Sequence, residues 1–126
     1  MKKLLIIFTL LLSVVALSSA AHAQSESNLA GTYWVAGTNP GGNGSYKGIA
    51  TIAKSGDRYR IHWEVGTTYD GIGKLNDKVF TVEWGTATEN VGTVTYALQP
   101  SGSLKGTWFV AKDPGHLGTE VLTPKK

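Results

Sequence analysis

Arg58-Tyr59-Arg60-Ile61-His62-Trp63-Glu64-Val65 consists of two interleaved sets. Tyr59, Ile61, Trp63 and Val65 are apolar or aromatic, while Arg60, His62 and Glu64 are charged or polar. Side chains of an extended chain point alternately to opposite faces, so this stretch reads as a strand with one face turned to a core. The rhythm recurs downstream. Phe80, Val82 and Trp84 oppose Thr81 and Glu83; Val94, Tyr96 and Leu98 oppose Thr93, Thr95 and Ala97; Leu104, Trp108 and Val110 oppose Lys105, Thr107 and Phe109. Gly48, Gly73 and Gly106 fall in phase with the inward set, where a missing side chain leaves room for a ring from a neighbouring strand.

Working outward from this stretch, turn signals divide residues 31–123 into eight strands, and no window shows the i, i+3, i+4 spacing of a helix. The expected strands are 31–37, 46–53, 58–65, 69–75, 79–84, 92–98, 104–111 and 118–123. Asn39-Pro40-Gly41-Gly42-Asn43-Gly44 joins the first two, with Asn-Gly expected to supply the positive φ of a hairpin. Ser55-Gly56-Asp57, Asn76-Asp77, Pro100-Ser101-Gly102-Ser103 and Asp113-Pro114-Gly115-His116 mark further turns. Sequential strands with short connections imply an antiparallel meander. Eight is the number at which a closed barrel is just filled by side chains or holds one small ligand. The fold class expected is all-β, a single eight-stranded antiparallel up-and-down β-barrel.

The first 23 residues stand apart. Met1-Lys2-Lys3 is a positive start, Leu4 to Leu17 is an apolar run, and Ala21-His22-Ala23 has the A-x-A form of a signal-peptidase site. The expected organisation is a signal peptide over 1–23, a short lead-in over 24–30 and the barrel domain over 31–126. The mature protein is therefore expected to be exported, periplasmic or extracellular, without stable membrane insertion. A lipid-anchored lipoprotein is excluded because there is no cysteine. Removing Lys2 and Lys3 lowers the twelve Lys and Arg to ten against nine Asp and Glu, a net charge of +1. That balance gives nucleic acid little to hold, and none is expected as a partner.

Chemistry is sparse. With no cysteine and only His62 and His116 after the leader, the sequence places no nucleophilic triad, has no Gly-x-Ser-x-Gly elbow and shows no close metal-ligand spacing. Glu64 and Glu83 face outward on strands three and five, about 10 Å apart at the ~4.8 Å strand spacing. On a convex wall that pair reads as solvated charge that discourages edge pairing. No catalytic residue, metal or cofactor is expected, and the protein is read as a non-enzymatic binding module with a small hydrolase as the remote alternative. The inner aromatic set is Tyr33, Tyr46, Tyr59, Trp63, Phe80, Trp84, Tyr96 and Trp108. All but Phe80 are candidate ligand-binding residues. Two readings of this set stand, a ring-lined cavity for a small apolar or aromatic ligand and a packed core. A shallow pocket at the open end, under Tyr69-Asp70 or the His116 loop, reconciles them. Trp34 and Phe109 point outward. With His116 they form a candidate surface for an extracellular protein partner, as an adhesin or a protease inhibitor would use.

Gly31-Thr32-Tyr33-Trp34-Val35 is echoed by Gly106-Thr107-Trp108-Phe109-Val110. Strand one lies two strands from strand seven in a closed meander, which would set Trp34 and Phe109 on one patch. The opening Leu29-Ala30-Gly31-Thr32-Tyr33 resembles that of avidin-type barrels, and the layout resembles the calycin group of lipocalins, avidins and bacterial lipocalin-like protease inhibitors. The polar positions of an avidin-type biotin pocket do not align here, so biotin is not implied. Gly118-Thr119-Glu120-Val121-Leu122-Thr123-Pro124, with Gly37-Thr38-Asn39-Pro40 and Tyr46-Lys47-Gly48, is similar to a set of small exported bacterial glycine-rich proteins, some labelled fibronectin-binding. That likeness implies export and a barrel.

Overall fold

The computed structural model describes residues 28–126, so the leader expected over 1–23 lies outside the described residues. Eight strands follow in order: β1 (Gly31–Thr38), β2 (Ser45–Ser55), β3 (Arg58–Glu64), β4 (Thr68–Asn76), β5 (Val79–Gly85), β6 (Asn90–Leu98), β7 (Leu104–Val110) and β8 (Asp113–Pro124). Each pairs antiparallel with the next, and β1 pairs with β8, closing the barrel. Closure satisfies the backbone of both outer strands and removes the edges that invite aggregation. Among the described residues no helix is long and apolar enough to cross a membrane.

Alternation decides what is inside. Tyr59, Ile61 and Trp63 of β3 are buried, as are Phe80, Val82 and Trp84 of β5 and Val94 and Tyr96 of β6. Two in-phase glycines act as expected. A Cβ on Gly106 would lie 2.6 Å from the Tyr96 ring, and one on Gly73 would lie 2.8 Å from the Phe80 ring. At Gly48 the close neighbours are instead the Glu64 carbonyl and Val65.

Seven strands lie within two residues of their expected bounds, but β8 does not. It begins at Asp113, so Asp113-Pro114-Gly115-His116 is strand, and the turn falls on Ala111-Lys112. Pro114 is tolerated there because this part of β8 lies beyond its last pairing with β1, at Thr38–Thr119, where a missing N–H costs no ladder bond. The β7–β8 register also shifts between Trp108–Gly118 and Val110–Asp113, leaving extra residues bulged on β8. In the β1–β2 connection the positive φ values belong to Gly41, Gly42 and Gly44. Asn43 has φ of −86°, so of the Asn43-Gly44 pair only Gly44 supplies the expected positive φ, and Pro40–Gly42 form a 3-10 turn within the connection.

The two ends of the barrel are built differently. The start of β1 and the end of β8 mark the closed end. Here Leu29 of the lead-in is buried, and its carbonyl accepts a hydrogen bond from the Tyr33 hydroxyl at 2.7 Å. Behind it Tyr59 meets Phe80 edge-on at 5.8 Å, and Phe80 stacks on Tyr96 at 6.0 Å. Leu104 and Leu122 complete a filled interior.

Candidate functional site

The opposite end is open. A cavity of about 270 Å³ enters the barrel there, just below the ~300–1,000 Å³ of sites for drug-sized ligands. Each strand from β2 to β8 contributes one side chain to its wall: Tyr46, Trp63, Tyr69, Trp84, Val94, Trp108 and Glu120. The connecting segments add Asn39, Val65 and Thr67. Four of the rings form a chain of edge-to-face contacts, Tyr46 to Trp108 at 6.2 Å, Trp108 to Trp84 at 5.5 Å and Trp84 to Tyr69 at 5.3 Å. Edge-to-face packing brings positive ring edges to negative faces and holds the planes in fixed orientations. The register shifts follow Trp84 on β5 and Trp108 on β7, so both irregularities of the ladder lie at this mouth.

Glu120 is the feature that periodicity analysis missed. It is only 5% exposed and, among the described residues, is the one charged side chain in the interior. The Tyr46 hydroxyl donates to its Oε1 at 2.8 Å, and Trp63 Nε1 donates to its Oε2 at 3.1 Å. The Tyr96 hydroxyl donates to Oε2 as well. Burial pushes the Glu120 carboxyl up from its ordinary value, with the three hydrogen bonds pulling the other way. Burial and the adjacent carboxylate push both tyrosines well up, so they stay protonated and remain donors.

The backbone makes room for this cluster in a way the sequence states. Glu120 is opposite Gly37 on β1 and Gly106 on β7. A Cβ at Gly37 would collide with the Tyr46 ring, and one at Gly106 with the Tyr96 ring. The two glycines flanking the carboxylate are thus the positions over which its two tyrosine partners lie. Gly118 and Gly92 give the same clearance to Trp108 and Trp84.

The structure divides the candidate ligand residues. Tyr46, Trp63, Trp84 and Trp108 come together around the cavity. Tyr33 and Tyr59 belong to the closed end and do not reach it. Tyr96 lies fully buried beneath, touching the cavity only through Glu120. A packed core fills one end of the barrel, and a ring-lined cavity opens at the other. Tyr69 and Glu120 join the site, and the phase of Gly118, Glu120 and Leu122 was the signal that pointed Glu120 inward.

The outer candidates do not form one patch. Trp34 is 51% exposed. It pairs with Thr123 on β8, whereas Phe109 lies on β7 one residue past the Trp108–Gly118 pair. They are two strands apart, but about six residues apart along β8, roughly 20 Å at ~3.3 Å per residue. Trp34 sits instead with Ile49, Val121 and Thr123 in a groove of the outer wall, with the Lys125 ammonium 4.7 Å above its ring. His116 lies near the mouth, beside the 39–44 loop, with Nδ1 2.9 Å from the Asp113 carboxylate. That hydrogen bond, and then the charge of Asp113, push His116 up from its ordinary value. His62 pairs with Asp70 at 2.8 Å on the outer face of β3 and β4, away from the cavity.

The chain matches no family model and no curated protein.

Proposed function

We propose that this protein is an exported, non-enzymatic binding module that takes one small ligand, apolar or aromatic in its body, in the open mouth of the barrel. The observation that carries this reading is the contrast in filling. One end of the interior is packed solid, while the other keeps a cavity between three tryptophans and two tyrosines. Rings held edge to face present apolar walls without collapsing on one another, which pre-organises a slot for a flat guest. The leader-like first 23 residues support export, and the layout resembles calycins, whose barrels hold small molecules. An extracellular protein partner, the alternative, would have to dock on Trp34 without Phe109.

Titration with small benzene derivatives, followed by tryptophan fluorescence, tests the reading. A saturable change in the wild type that Trp108→Ala and Trp84→Ala each weaken by ~5- to 150-fold is expected, from the ~1–3 kcal/mol of a lost stacking face. Failure of every probe to perturb the fluorescence would discard it.

A further inference from the structure

The cavity wall has an unusual polarity. Tyr46 and Trp63 direct their polar hydrogens at Glu120, and Trp108 Nε1 donates to the Thr119 carbonyl at 3.3 Å. These donors are therefore engaged within the wall. What the same residues offer a guest is the π-surface of their rings. Glu120 itself lines the cavity. A carboxylate has about four acceptor positions, and Tyr46, Trp63 and Tyr96 occupy three, leaving room on Oε1.

No cation answers this carboxylate. Among the described residues no Lys, Arg or His lines the cavity, and the two ion pairs lie on the exposed exterior. Charged or titratable groups facing Glu120 are Tyr46 from β2 and Tyr96 from β6, both held neutral, while β1 and β7 place Gly37 and Gly106 opposite it. Buried charges in folded proteins are paired or bind an ion, because desolvation of a lone charge is costly. Aromatic faces around an acidic floor attract a cation twice over, through the ring quadrupoles and through the carboxylate.

We propose that the ligand of this mouth is an organic monocation, an ammonium group carried on a small flat or apolar body, with its nitrogen on Glu120 Oε1 and its body between Trp63, Trp84 and Trp108. This deepens the reading above and rests on it. The ammonium supplies the missing counter-charge and a donor for the open acceptor position, and its body fills the ring-lined slot. Binding holds Glu120 ionised, so a fraction of a proton leaves the protein wherever the free carboxyl is partly protonated.

Three probes of one shape separate the charge from the body. Benzylammonium, benzyl alcohol and benzoate would be titrated at neutral pH into protein expressed from the full-length sequence, by calorimetry and tryptophan fluorescence. Benzylammonium is expected to bind ~10- to 100-fold more tightly than benzyl alcohol, from the worth of a hydrogen bond to a charged group. Benzoate is expected to bind weakest. Glu120→Gln should erase the preference for the ammonium, read as the ratio of the ammonium and alcohol affinities measured on the same variant. Equal or tighter binding of benzyl alcohol or benzoate by the wild type overturns the cation while leaving the mouth as a ligand site. Binding of none of the three overturns both. The wild-type ranking decides even if the variant fails to fold.

Discussion

The two ends of this barrel are made of the same eight strands and the same two-residue rhythm, yet one is solid and the other hollow. At the closed end, inward positions hold Phe80, Tyr96, Leu104 and Leu122, all fully buried, with Leu29 laid across the bottom. At the open end they hold three indoles, two phenols and a carboxylate, with glycines opposite. Branched and ring side chains of differing size interdigitate and fill space. Trp84 and Trp108, held nearly perpendicular, and Trp63 and Trp108, tied down through their N–H groups, do not. The hollow is thus produced by the residues chosen, within a backbone that is continuous from end to end.

The largest effect expected is at the solid end. Phe80→Ala should lower unfolding free energy by about 3–5 kcal/mol in denaturant titration, the usual cost of a cavity left by a buried ring. Trp108→Ala, which enlarges an opening that already exists, should cost less than half as much. Equal costs would erase the distinction between the ends. Next comes Gly106→Ala, whose methyl would press on the Tyr96 ring. It should cost about 1–3 kcal/mol by overpacking and should loosen the hydrogen bond between Tyr96 and Glu120, read as a shift of the carboxyl signal in an NMR titration.

A third measurement sharpens the contrast through pH. The native carboxyl of Glu120 titrates above its ordinary value of 4.5, so between the unfolded and native values the folded state binds more protons than the unfolded one. Stability from this group therefore falls as pH rises through that window and is level below and above it. Glu120→Gln should flatten this component of the stability–pH curve. A curve unchanged by the substitution would mean that burial does not govern the group. Smallest of all, Trp34→Ser on the outer wall should change stability by no more than about 0.5–1 kcal/mol, since the residue is half exposed and its Lys125 contact is open to water.

Strand positions were legible because alternation is local: Tyr59, Ile61 and Trp63 disclose their face within five residues. The start of β8 was not. Asp113-Pro114-Gly115-His116 has turn composition, whereas the actual turn, Ala111-Lys112, carries no turn signal. Only the loss of the β1 partner beyond Thr119, a tertiary fact, makes a strand there tolerable. The ring-bearing half of the site was read from the same alternation, though Tyr33 and Tyr59 share the inward phase of Tyr46 and Trp63 and could not be sorted by depth. Glu120 escaped because a carboxylate on a strand reads as surface. The groups that make its burial tolerable are 74, 57 and 24 residues away. Trp34 is half exposed, as its phase implied, but its separation from Phe109 depends on the β1–β8 and β7–β8 registers, which no short window contains.

Because β8 carries Glu120 and also forms the seam with β1, closure and chemistry arrive in one event. Seven strands can emerge from the ribosome without creating either the finished cylinder or its acidic floor. A chain interrupted before the eighth strand would expose two open sheet edges and have nothing to offer a guest. If the mouth binds as proposed, binding would report completed folding.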